Sequence, residues 1–198
     1  MNMSKREDSR FSNEELIVVS ENWQKIALEH NLKLKTIKNI VSTKSILAKA
    51  IDYKEKDELY WNLFSFELKI PYNAGIIFIK ASESKFPHLS FSFAGKTSFE
   101  FCLWNEDFLD IISKYLGMYE LQTGFTQFDK KYFIKTSDEN KMKKLFDTKV
   151  INFMLDSDIN LFKLENSKLE LSGLINELEL SKIKEFIDFS KNIIDHIE

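Results

Sequence analysis

The chain has 198 residues, of which 43% are hydrophobic and 30% charged, with a formal net charge of −3. That length and composition suit a globular fold able to bury a sizeable core, and the interleaved charge supplies no clustered basic surface of the kind nucleic acid demands. A single cysteine, Cys102, excludes an internal disulfide framework and any multi-cysteine zinc site.

Residues 1–10, MNMSKREDSR, read as a disordered leader and lack the apolar core of a signal peptide. The remainder, 11–198, reads as one compact domain whose halves, 11–118 and 119–198, each run strands into a covering helix. No stretch approaches the ~18 apolar residues of a membrane span, so the expected location is the cytoplasm, with no membrane partner. A helix over 13–30 has complete start signals: Ser12 and Glu15 form a capping box, and Phe11 and Leu16 a hydrophobic staple. Leu16, Val19, Trp23, Ile26 and Ala27 give it one inward face, and Asn31 stops it.

Two periodicities compete over 32–56. Ile37, Ile40, Val41, Leu47, Ala50 and Ile51 fit a helix, whereas Leu32, Leu34 and the Ile46-Ala48-Ala50 alternation fit strands. The balance favours a short strand and then a helix from about Ile37. From Glu58 the pattern turns to β. Strands 59–70 and 75–81 flank the loop Pro71-Tyr72-Asn73-Ala74-Gly75, and 88–94 and 97–104 flank Ala94-Gly95-Lys96, predicting a four-stranded antiparallel meander. Phe64 and Phe66, Phe91 and Phe93, and Phe99 and Phe101 alternate with period two, which places each pair on one face of a strand. Such a face covers a core or lines a groove for an apolar ligand, and the packed core is the stronger reading.

Asn105 caps a further helix carrying Phe108, Ile111, Ile112, Tyr115 and Leu116, with Gly117 at its C′ position. Residues 127–135 alternate as a strand. Ser137 or Asp138 then caps a helix with the inward stripe Met142, Leu145, Phe146, Val150, Phe153 and Met154. Strands 159–165 and 168–174 turn through Asn166-Ser167, and a helix over 181–197 closes the chain.

The segment Phe128-Asp129-Lys130-Lys131-Tyr132-Phe133-Ile134-Lys135-Thr136-Ser137-Asp138 resembles an uncharacterised bacterial domain family with a strand of the type Phe-Asp-x-x-Phe-x-Val-x-Ser-Asp. The resemblance covers residues 122–197, with a weaker echo at Trp23-x-x-Ile26-Ala27. It implies a strand running into a helix, two short strands and another helix, and it implies no activity. Relatives of this kind are often attached to membrane segments, and none is expected from these residues.

Candidate chemistry is sparse. Asp57 with Glu67-x-Lys69 matches the Asp…Glu-x-Lys pattern in which two acids hold Mg²⁺ and a lysine polarises a phosphate. The acid-x-Lys part recurs at Asp52/Lys54, Glu83/Lys85, Asp129/Lys131, Glu139/Lys141 and Asp147/Lys149, so it reads as background. Asp156-x-Asp158-x-Asn160 begins like a Ca²⁺ loop, but Leu161 stands where the turn needs glycine and Ser167 where the bidentate acid belongs. His30, His88 and His196 form no ligand pair or triad, and Cys102 lies in an apolar strand with no adjacent base. The lysines Lys141, Lys143, Lys144 and Lys149 read as a solvated helix face.

The sequence thus predicts an α+β protein, an antiparallel sheet of about seven strands with helices on one face. Its expected function is a non-enzymatic intracellular protein-interaction module, such as a bacterial immunity or accessory protein, needing no cofactor or metal. Trp61, Tyr72 and Trp104, near loops or strand ends, are the expected contact residues for a protein partner. A nuclease using Asp57, Glu67 and Lys69 is the first alternative, and a carrier of an apolar ligand the second.

Overall fold

The computed structural model of the chain describes residues 10–42, 60–82, 85–105 and 119–197. Asp57, the leader up to residue 9 and the helix expected over 106–117 lie outside the described residues. Helix α1 (Asn13–Glu29) precedes β1 (Lys35–Ser42), β2 (Tyr60–Tyr72), β3 (Gly75–Ser82), β4 (Lys85–Ser92), β5 (Phe101–Asn105) and β6 (Tyr119–Glu120). Then follow α2 (Thr126–Lys131), β7 (Tyr132–Thr136), α3 (Glu139–Leu145), α4 (Thr148–Asp156), β8 (Ile159–Glu165), β9 (Lys168–Gly173) and α5 (Leu180–Ile197). Among the described residues every strand pairing is antiparallel, in one nine-stranded sheet of order β1-β2-β3-β4-β9-β8-β5-β7-β6. The fold is therefore α+β on an antiparallel sheet, with β1 longer than the short strand expected before Ile37 and the two-residue β6 added to the expected strands.

One face of the sheet carries the main core, while in β5 Cys102 and Trp104, alternating with Phe101 and Leu103, are buried on the other. Phe66, Leu68 and Ile70, then Ile77, Ile79 and Ala81, then Leu89 and Phe91 alternate inward and join one core cluster with Val19, Trp23 and Ile26 of α1 and Ile183, Phe186 and Ile187 of α5. The alternating phenylalanines Phe66, Phe91, Phe99 and Phe101 are buried there as core. The opposite face carries Glu67, Lys69, Lys80, His88, Lys163 and Glu170, as period-two alternation requires.

Several elements differ from expectation, each for a local reason. Residues 35–42 form a strand throughout, with Ile37, Ile40 and Val41 paired against Ser65, Asn62 and Trp61, so pairing with β2 overrides the helical spacing. Strands 88–94 and 97–104 do not form a hairpin, because the β8–β9 hairpin inserts between β4 and β5. The 93–100 crossing is tied to that hairpin's tip: Phe93 N–H donates to Ser167 O at 2.8 Å, Thr97 N–H to Ser167 Oγ at 3.2 Å, and Asn166 N–H to Glu100 Oε1 at 3.0 Å. Asn166 and Ser167 both take positive φ, 52° and 58°, as a two-residue hairpin turn requires.

The β2–β3 turn is also tighter than the expected pentapeptide, with Tyr72 paired to Gly75 across Asn73 and Ala74. Gly75 is needed there, since a Cβ would lie 2.7 Å from the Phe91 ring. Residues 126–131 are a helix and not the start of a strand. Asp129 fixes it by accepting from Thr123 N–H at 2.9 Å, Thr123 Oγ1–H at 2.7 Å and Gly124 N–H at 2.9 Å. The expected 138–154 helix is two helices, broken where Asp147 caps α4 by accepting from Val150 N–H at 2.9 Å. Its predicted stripe from Met142 to Met154 is buried all the same.

Candidate functional site

The site begins with an indole on the inward stripe of α1. The capping box that starts this helix is present, Ser12 N–H donating to Glu15 Oε2 at 2.7 Å and Glu15 N–H to Ser12 Oγ at 3.2 Å. It sets the phase of the helix, so that Trp23 is 1% exposed in the core. A buried indole N–H needs an acceptor. Trp23 Nε1–H donates to Glu177 Oε1 at 2.8 Å, on the loop joining β9 to α5. One residue earlier, Asn22 donates to the carbonyls of Glu177 and Leu178, both at 3.0 Å. That loop is braced internally, Leu178 N–H donating to Asn176 Oδ1 at 3.2 Å and Asn176 Nδ2 to Glu179 Oε1 at 2.7 Å.

The Glu177 carboxylate is thereby enclosed, its side chain 1% exposed, and Arg10 Nη2 pairs with its second oxygen. Burial pushes the Glu177 carboxyl above its ordinary pKa, against the opposing pull of Arg10 and the indole donor. The Arg10 guanidinium also lies 4.7 Å from the ring centroid of Phe11 and 5.2 Å from that of Phe86, within cation–π reach of both.

Above this group opens a cleft of about 650 Å³ between the N-terminal segment, the start of β4, the end of α4 and the β9–α5 loop. Its walls are Phe11, Phe86, Leu174 and Ile175, and Asp156, Asn176 and Lys182 add polar groups. Leu174 is 48% exposed, an apolar side chain held towards solvent beside a buried charge. A mostly apolar cleft of this size with a few convergent polar groups is the usual form of a binding site.

The fold does not gather the aromatic residues expected to make a protein contact. Trp104 is 1% exposed in β5 and stacks on Phe133 with centroids 6.2 Å apart, so the exposure expected of it is absent. Tyr72 is half-buried and its hydroxyl donates to Asp195 Oδ2 at 2.7 Å, fastening the β2–β3 turn to α5. Trp61 lies near the start of β2, opposite Val41. Trp61 and Tyr72 stand eleven residues apart on that strand, about 36 Å at roughly 3.3 Å per residue. Trp104 is five strand steps from β2, roughly 24 Å at about 4.8 Å per step.

The other candidates are dispersed as well. Glu67 faces away from the core and pairs with Lys35 Nζ at 2.8 Å, which lowers its pKa. Asp158 takes a positive φ of 42° and pairs with Lys131 at 2.6 Å. Among the described residues no group of three or more His, Cys, Asp or Glu is placed to hold a metal ion. Cys102 is buried in β5. His30 caps α1 and His196 Nδ1 contacts Asn192 O at 2.7 Å. His88 sits 4.0 Å from Glu170, and burial lowers its pKa. Arg10, Phe86, Leu174 and Glu177 were not singled out by sequence reasoning. The available signal was Trp23, since an indole on an inward stripe demands a buried acceptor elsewhere.

No protein-family model matches the chain, and no curated protein does. Among solved structures it is similar to the mycobacterial trehalose monomycolate transport factor A, TtfA, with 9% identity over 91% of this chain and 96% of that chain and a TM-score of 0.46. A likeness that distant carries no functional argument. Among the described residues no helix is long and apolar enough to cross a membrane.

Proposed function

We propose that this chain is a protein-interaction module that captures one partner non-covalently through the cleft beside Glu177. The supporting observation is Leu174, held half-exposed at the mouth of an apolar cleft whose floor is a buried charged group. Interfaces concentrate binding energy at such places, where an apolar anchor enters a desolvated pocket and polar groups fix its orientation. A bacterial accessory or immunity protein acting in the cytoplasm is the finer form of this reading. The partner then contacts the Phe11, Phe86 and Leu174 walls, in place of the dispersed Trp61, Tyr72 and Trp104.

The test is Leu174→Asp, which places a charge at the cleft mouth while leaving the core untouched. Affinity for a partner isolated with the wild-type chain should fall at least about thirtyfold, the ~2 kcal/mol of an interface hot spot. The urea midpoint should stay at the wild-type value. Undiminished partner binding by a folded Leu174→Asp variant refutes the cleft as the docking site. Native mass spectrometry that finds a small apolar molecule retained in the cleft, and no protein, supports the carrier reading instead.

A further inference from the structure

We propose that the Glu177 pocket is a receptor for a guanidinium side chain, filled here in cis by Arg10, and that the partner engages it by inserting an arginine of its own in that place. This rests on the cleft being the docking site and names the chemistry it selects.

Three features converge on one cationic group: a carboxylate 1% exposed at its side chain, and the rings of Phe11 and Phe86 at 4.7 and 5.2 Å from the guanidinium carbon. The carboxylate is held in place independently of its occupant. Trp23 Nε1 holds one oxygen and Asn22 grips the loop backbone at the successive carbonyls of Glu177 and Leu178. A pocket pre-formed in this way costs little to fill and much to leave empty, because an unpaired buried carboxylate is strongly destabilising.

Arg10 fills it imperfectly. Its guanidinium pairs through Nη2, while its buried Nε has no hydrogen-bond partner among the described residues. A buried donor left unmade is a standing cost, which a better-oriented guanidinium entering from the cleft avoids. Arg10 is tethered and competes at an effective concentration on the order of millimolar. A free arginine therefore does not displace it, whereas an arginine on a partner that also covers Leu174 and Phe86 can. The cis arginine thus sets a threshold that selects partners presenting both a cation and an apolar neighbour.

The experiment measures the melting temperature of wild type, Arg10→Ala and the double variant Arg10→Met/Glu177→Met against added N-acetyl-arginine methylamide. N-acetyl-citrulline methylamide, which is neutral and nearly isosteric, is the control. Arg10→Ala should melt lower than wild type and recover progressively with the arginine compound alone, as ligand linkage requires. Wild type and the double variant, whose pair is replaced by apolar side chains of similar length, should respond to neither compound. If Arg10→Ala does not fold unaided, the yield of folded protein on dilution from urea, with and without each compound, reads the same quantity. An Arg10→Ala variant indifferent to the arginine compound overturns the proposal, as does an equal response to citrulline or an equal response from the double variant. Rescue by arginine together with partner binding that survives Leu174→Asp keeps the pocket and removes the docking site. Loss of partner binding in Leu174→Asp without rescue does the reverse.

Discussion

Replacing Phe153 with alanine tests the packing between α4 and α5, and replacing Phe162 calibrates it. Phe153 is 8% exposed and stacks on Phe189 with ring centroids 3.9 Å apart and an interplanar angle of 18°. Its other side lines an open groove of about 560 Å³ between the two helices. Phe162 is 0% exposed and is ringed by Phe101, Phe146 and Phe189 at centroid distances of 4.8, 6.1 and 6.4 Å. Removing a buried phenyl ring costs about 3–5 kcal/mol, and the cost rises with the volume of sealed cavity left behind. At Phe153 the vacated space joins the groove and water enters, so the loss falls near ~3 kcal/mol. At Phe162 the cavity is closed on all sides, and the loss falls near ~5 kcal/mol. At about 2–4 °C per kcal/mol for a domain of this size, the melting temperature drops by roughly 6–12 °C and 10–20 °C respectively. Urea denaturation followed by far-UV circular dichroism reads both, and the slope with denaturant must stay constant for the comparison to hold. An unchanged midpoint in Phe153→Ala refutes its burial. A larger loss there than in Phe162→Ala refutes the account of the groove as open.

Two further outcomes follow from local geometry. Asp147→Ala removes the cap that starts α4 after the break at Phe146, and should cost about 0.5–2 kcal/mol in the same assay, with Asp147→Asn recovering most of it. Glu170 supplies a pH dependence. Burial alone would raise its pKa, but hydrogen bonds and charge from Lys163 at 2.8 Å and Lys168 at 2.6 Å outweigh it and hold the carboxyl at about 2. Because its pKa is depressed in the folded state, the stability it contributes is present above the ordinary value of 4.5 and is lost as pH falls towards about 2. Glu170→Gln should flatten that part of the profile, and profiles that run parallel through it would show that the two lysines do not hold the charge.

How much of this was legible in the sequence follows from how locally each feature is determined. The start of α1 needs only Ser12 and Glu15, three residues apart, and the β8–β9 turn needs only Asn166 and Ser167. The inward stripes of α1, α4 and α5 need only helical spacing. The failures occur where a partner distant in the chain decides. The segment 35–42 has β-branched residues at spacings that suit either state, and β2 resolves it. Phe128 and Tyr132 share a side in both a strand and a helix, at separations of four, and the Asp129 contacts to Thr123 and Gly124 select the helix. The insertion of β9 and β8 between β4 and β5 is a fact of topology that no local pattern announces.

The same reasoning explains why the site was the least legible part. Arg10 and Glu177 are 167 residues apart in sequence, and Trp23 and Glu177 are 154 apart. Neither acid nor base belongs to a motif, and each looks like one more surface charge in a chain with 31 acidic and 28 basic residues. What distinguishes Glu177 is its surroundings. A carboxylate whose side chain is 1% exposed, with an indole N–H and a guanidinium on its oxygens, carries a desolvation cost that an ordinary surface glutamate does not. A fold keeps such a group only where its partners are fixed, and here α1 fixes them from one side and the N-terminal segment from the other. The partner from α1 is a neutral donor set in the core, whereas the partner from the N-terminal segment is a charge at the edge of an open cleft. Of the two, the second lies outside any helix and can be exchanged without unfolding one, so the recognition chemistry is assigned to the Arg10 side of the carboxylate.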